Sequence, residues 1–94
     1  MSATNRRVYF LVHGVVQGVG FRYFAQKRAV EYQLTGWIRN TENGKVEGEA
    51  QGPADAIKTF IKDIDNGPRH ARVVKLDIKD LDLKEGENGF EVRR

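Results

Sequence analysis

The 94-residue sequence contains no cysteine. That excludes disulfides, thiolate metal sites and a cysteine nucleophile. Histidine is almost as scarce, with only His13 and His70 present. They stand far apart, in neither of the short helical spacings from which zinc sites are built, so neither a metal nor any other cofactor is expected. Long apolar runs are missing too. Val8 to Val12 is five residues, against the roughly 7–15 of a signal peptide and about 20 of a membrane span. Arg6-Arg7 before so short a run is a poor export signal. The expectation is a cytoplasmic monomer without membrane association. There is no repeat, low-complexity segment or long linker. The length suits a single domain over residues 1–94, with residues 1–6 flexible ahead of the first strand.

What is present points to a folded globular chain. Apolar residues make up 39% and charged residues 31%, a balance unlike that of disordered tails. The net charge of +3 suits a small anionic ligand, although such mild basicity is ordinary for a small domain.

Periodicity divides the chain. Val8, Phe10 and Val12 alternate with Tyr9, Leu11 and His13, so residues 7–13 form a strand that both faces could cover. From Phe21 the period becomes helical: Phe21, Ala25, Ala29 and Tyr32 share one face with Phe24 beside them, giving a helix of about residues 22–33. Thr35 to Asn40 forms a second strand. Asn43-Gly44 marks a two-residue hairpin, both positions favouring positive φ. Val46, Gly48 and Ala50 form a half-buried third strand. Gly52-Pro53 opens a second helix carrying Ile57, Phe60, Ile61 and Ile64, which Asn66-Gly67-Pro68 ends. A fourth strand runs through Val74, Leu76 and Ile78; its phase slips at Leu81 and Leu83, so it bulges or ends near Asp80. Glu85 to Gly89 is a turn, and Phe90 to Val92 a short last strand. This βαββαβ order predicts an α+β, ferredoxin-like sandwich: two helices on one face of a mostly antiparallel sheet, plus a short extra C-terminal strand. Another α+β sandwich with the same elements is the alternative.

The chemically informative stretch is Gly14-Val15-Val16-Gln17-Gly18-Val19-Gly20-Phe21-Arg22. It joins a strand to a helix start, where glycines let backbone N–H groups converge and the helix adds unpaired donors and partial positive charge. Such a cradle suits an anion, phosphate above all. Arg22 lies in the first helical turn, where a cation is unfavourable by about 0.3–1 kcal/mol unless an anion intervenes. Its planar fork fits phosphate oxygens. The plainer alternative is a tight turn followed by a solvated arginine. Neither a Walker loop nor a complete dinucleotide fingerprint is present, because no lysine follows the glycines and position 23 is tyrosine.

The stretch GVVQGVGFRYF closely resembles the signature of the acylphosphatase family, and so does GWIRNTENGKVEGEAQG at residues 36–52. The resemblance implies a ferredoxin-like fold, cofactor-free hydrolysis of a small acyl phosphate to a carboxylate and phosphate, and a catalytic pair of Arg22 and Asn40. In that mechanism the cradle of Gln17, Gly18, Val19, Gly20, Phe21 and Arg22 holds the phosphoryl group and Asn40 orients water. Inorganic phosphate, as product, would compete with substrate. A right-handed crossover makes the first two strands parallel, which brings Arg22 and Asn40 to one sheet edge with the third strand between, at about 10 Å from axis to axis.

Two other readings remain open. A binding module of this fold, for RNA or a regulatory ligand, would expose aromatics such as Tyr9 and Trp37 along a basic stripe. Glu47, Glu49 and Asp77 dilute such a stripe, which disfavours nucleic acid. Acylphosphatase-like domains also begin larger carbamoyl-transfer proteins; the absence of a partner domain in these 94 residues favours the free hydrolase. Structural roles are expected for the rest. His13 reads as a packing or surface residue rather than a base, His70 as exposed, and Tyr32 and Trp37 as packing. Lys75, Asp77, Lys79, Asp80 and Asp82 read as a solvated strand face, and Thr41 as a turn residue.

Overall fold

The alternating apolar residues of the first strand decide which side of the sheet receives the helices. The computed structural model describes residues 4–94. The elements are β1 (Asn5–Val15), α1 (Phe21–Glu31), β2 (Thr35–Asn40), β3 (Val46–Pro53), α2 (Ala54–Asn66), β4 (Arg72–Leu81) and β5 (Phe90–Arg93). The strands form one sheet in the order β4-β1-β3-β2-β5. All neighbours are antiparallel except β2 and β5, which run parallel. This is the ferredoxin-like sandwich expected from the element order.

Val8, Phe10 and Val12 are fully buried beneath the helices, against Phe21, Ala25 and Ala29 of α1 and Ile57, Phe60 and Ile64 of α2. The Phe60 ring joins the two ends of the chain: its centroid lies 5.7 Å from that of Phe10 and 5.9 Å from that of Phe90. Each such ring contributes about 1.5–3 kcal/mol through burial. The Tyr32 hydroxyl donates to Asp63, tying α1 to α2, and this bond is the main cause of its raised pKa.

Three expectations need revision. First, helices cover only one face of β1. On the open face Tyr9 donates to Glu47 at 2.7 Å. Burial and then this bond push the Tyr9 phenol up to about 12, while the bond holds Glu47 below the usual carboxylate range.

Second, β1 begins at Asn5, so Asn5 and Arg6 belong to a strand rather than a flexible lead; residues 1–3 of that expectation lie outside the described residues. Third, the hairpin is longer than two residues. Thr41 N–H donates to Lys45 O at 2.8 Å, and of the Asn43-Gly44 pair only Gly44 has positive φ. Thr41 is indeed a turn residue: its hydroxyl donates to Asn43 Oδ1 at 2.6 Å and accepts from Lys45 N–H at 2.9 Å.

The fourth strand ends at Leu81, near Asp80 as expected, and it carries a further irregularity at its start. His13 faces Lys75 but Gly14 faces Val73, leaving Val74 as the extra residue, 67% exposed. Glycine is required opposite: a Cβ on Gly14 would stand 2.0 Å from Arg72 O. The bulge turns both Val73 and Leu76 toward the core.

Candidate active site

Residues 16–20 carry the chain from β1 into α1. Val16 is buried at their start and Phe21 at their end, which pins the loop to the core. Between them Gly18 and Gly20 have φ of 74° and 76°, the left-handed region that residues with a Cβ rarely adopt. A Cβ on either would meet nothing within 4 Å, so the backbone here faces open space. Gly20 caps α1 with no side-chain hydrogen bond. Among the described residues, no loop or cap hydrogen bond uses an N–H of residues 17–22 as donor. Unpartnered amides at a helix N-terminus are the elements of an anion cradle.

These residues line a cavity of about 290 Å³ together with two others far off in sequence. Its walls include Gly18, Gly20, Phe21, Arg22, Asn40 and Val92. Arg22 and Asn40 thus meet at one site, as the crossover geometry predicted. β3 separates β1 from β2, and Asn40 is the last residue of β2.

Not every cradle residue serves in the same way. The Gln17 side chain does not line the cavity. Its amide donates to Thr41 O at 2.8 Å and Lys45 O at 2.9 Å, fastening the loop to the turn that follows Asn40. Gln17 therefore sets the separation between cradle and asparagine. The Val19 side chain packs against the core.

Arg22 is half-buried. Its Nη1 donates to the main-chain carbonyl of Arg93 at 2.9 Å, its one protein hydrogen bond among the described residues. The Arg93 guanidinium in turn stacks over Trp37, 4.8 Å from the ring centroid. β5 thereby steers the Arg22 fork while leaving donors free for an anion. The sequence reading missed this contact, as it missed Tyr23, Gln26 and Val92 in the cavity wall. Gln26 was discoverable, lying one helical turn from Arg22 on the same face. No local pattern announces Val92 or the Arg93 carbonyl, because β5 comes beside β2 only in the folded chain.

The histidines stay apart from this site. His13 Nε2 bonds Asp77 Oδ2 at 2.8 Å across the β1–β4 pair, and this bond is the chief reason Asp77 lies below the usual carboxylate range. His70 is exposed. Tyr9 and Trp37 do lie on the open sheet face, but one is bonded to Glu47 and the other is covered by Arg93, so neither is a free platform for a base. Among the described residues, no three histidine or carboxylate side chains converge to hold a metal ion. None of the helices is long and apolar enough to cross a membrane.

Comparison with known proteins identifies relatives. Residues 8–92 match the family model described as Acylphosphatase. The chain is 44% identical over 93 residues to an acylphosphatase of Salinibacter ruber, covering 99% of this chain and 98% of the relative. It superposes on the crystal structure of acylphosphatase from Bacillus subtilis with a TM-score of 0.91 at 35% identity, covering 95% of this chain and 99% of that one. An acylphosphatase structure from Coxiella burnetii gives 0.89 at 35% identity, over 95% and 93% of the two chains.

Proposed function

We propose, from the premise that the chain belongs to the acylphosphatase family and is a hydrolase of that kind, that the amides of residues 17–22 and the Arg22 guanidinium seat the phosphoryl group while Asn40 orients the attacking water. The observation that carries this reading is the single cavity in which Gly18, Gly20 and Arg22 face Asn40. The substrate is a small acyl phosphate, and the bond broken joins phosphorus to the bridging carboxyl oxygen. Charge developing on the phosphoryl oxygens meets donors already in position, which lowers the barrier without reorganisation. The Asn40 carbonyl accepts from water and its amide is free to donate. Because a carboxylate leaves readily, no strong general acid is needed, and neither histidine lines the cavity.

The test is release of inorganic phosphate from benzoyl phosphate or acetyl phosphate, with Arg22→Ala as control and a strong chelator present in one arm. Hydrolysis by the native chain, unaffected by chelator, competitively inhibited by inorganic phosphate and lost in Arg22→Ala, is the expected result. Purely noncompetitive inhibition would put the substrate elsewhere, and a folded, fully active Arg22→Ala would remove Arg22 from the mechanism.

A further inference from the structure

The cavity is asymmetric in its chemistry. Its phosphate end has the cradle, Arg22 and Asn40; the remaining wall is Val16, Phe21, Tyr23, Gln26 and Val92. Among the described residues, Arg22 is the only charged one lining it. Gln26, the one polar side chain in the remaining wall besides the tyrosine hydroxyl, already donates to Phe90 O at 3.1 Å. Val16 and Phe21 are buried and form the floor, whereas Tyr23 and Val92 are 70% and 37% exposed at the mouth. Tyr23 projects from the first turn of α1 beside Arg22, and Val92 from β5 on the other side. Exposed apolar surface on two elements that flank a polar anchor gives the rest of an anchored ligand somewhere to shed water.

Resting on the phosphate reading above, we propose that Tyr23 and Val92 form a platform for the acyl group, so that the enzyme favours acyl phosphates with a bulky apolar or aromatic acyl part. Among the described residues, a second anionic group on the acyl part finds no cation in this wall and an ammonium finds no carboxylate. An acetyl group is too short to cover the tyrosine ring, whereas a benzoyl ring can stack or pack edge-on against it.

The experiment compares kcat/KM for benzoyl phosphate and acetyl phosphate in the native enzyme, Tyr23→Ala, Tyr23→Phe and Arg22→Ala, with melting temperature and inhibition by inorganic phosphate measured on each preparation. Tyr23→Ala should lose about tenfold on benzoyl phosphate, the lower end of what one apolar group contributes in a pocket. It should change less than about twofold on acetyl phosphate and leave phosphate inhibition as it was. Tyr23→Phe should retain native discrimination, because the ring and not the hydroxyl makes the contact. Because Tyr23 is exposed and helical, alanine there leaves the fold intact. Equal losses on both substrates, or none on either, would overturn the platform while an inactive Arg22→Ala kept the phosphate reading. Full activity in Arg22→Ala would overturn both.

Discussion

Two arginines, one strand and one loop apart, show what separates a cation committed to the fold from one left open to a ligand. Arg7 lies on the open face of β1 and is only 2% exposed. Its Nε donates to Glu49 at 2.8 Å, and its Nη1 and Nη2 reach both oxygens of Glu87 at 2.8 and 3.2 Å. Nη1 also reaches Gln51 at 3.2 Å. The Glu87 bond is the main influence raising the Arg7 pKa, and the same bond is the main one lowering that of Glu87. Arg22, by contrast, has one carbonyl and a cavity. The first guanidinium has spent its donors on holding the loop before β5 to the sheet. The second keeps donors in reserve, and that reserve is what a ligand can use.

The comparison can be broken most severely at Arg7. Arg7→Ala leaves Glu49 and Glu87 without their cation, and losing one member of a buried pair costs about 3–5 kcal/mol. Denaturant or thermal unfolding should register the loss, while the fraction that remains folded keeps near-native kcat. A variant as stable as the native chain but inactive would reverse the roles assigned to the two arginines.

Arg22→Ala should show the opposite pattern. We expect about 3 kcal/mol less stabilisation of the developing charge, roughly a hundredfold in rate, with little change in melting temperature. Arg22→Lys should recover only part, because an ammonium lacks the planar fork. Asn40→Ala sharpens the picture by dividing the site itself. Phosphate inhibition should stay within about twofold while kcat falls at least about tenfold, as for an interaction made chiefly in the transition state. Normal turnover with lowered stability would make Asn40 a strand-end residue only. Asn40→Asp should fail as well, since it sets a negative charge beside the phosphate.

The smallest effect is in acid. Because Glu87 is held below its ordinary value of 4.5 when folded, its pairing stabilises the fold fully above that value and ceases to do so as pH falls through the depressed one. The stability gap between native protein and Glu87→Gln should therefore be open near neutrality and close as the pH falls below 4.5 through the depressed value. A gap independent of pH would mean that Glu87 acts by shape and hydrogen bonding rather than by charge.

Much of this was legible in the chain. Val8, Phe10 and Val12 announced a strand, Phe21, Ala25 and Ala29 a helix, and the glycines before Arg22 a loop with left-handed backbone, because each signal lies within a few residues and reflects local backbone geometry. Asn40 was harder. Its own neighbourhood says only that a strand ends there, and its pairing with Arg22 came from the crossover rule and the family resemblance.

The role of Arg7 was not legible for a physical reason: its partners Glu49, Gln51 and Glu87 lie 42, 44 and 80 residues away. The bulge at Val74 likewise depends on Gly14 across the sheet. By itself, then, the sequence determined the order of the elements and the glycine loop that leads into α1, since dihedral preference and hydrophobic period are properties of short segments. Only the tertiary structure decided that β5 lies parallel beside β2. That placement presents the Arg93 carbonyl to Arg22 and Val92 to the cavity, and it brings the loop before it within reach of Arg7. Such choices rest on the packing of segments remote in the chain, where Phe60 can reach Phe10 and Phe90 together, and no local pattern encodes them.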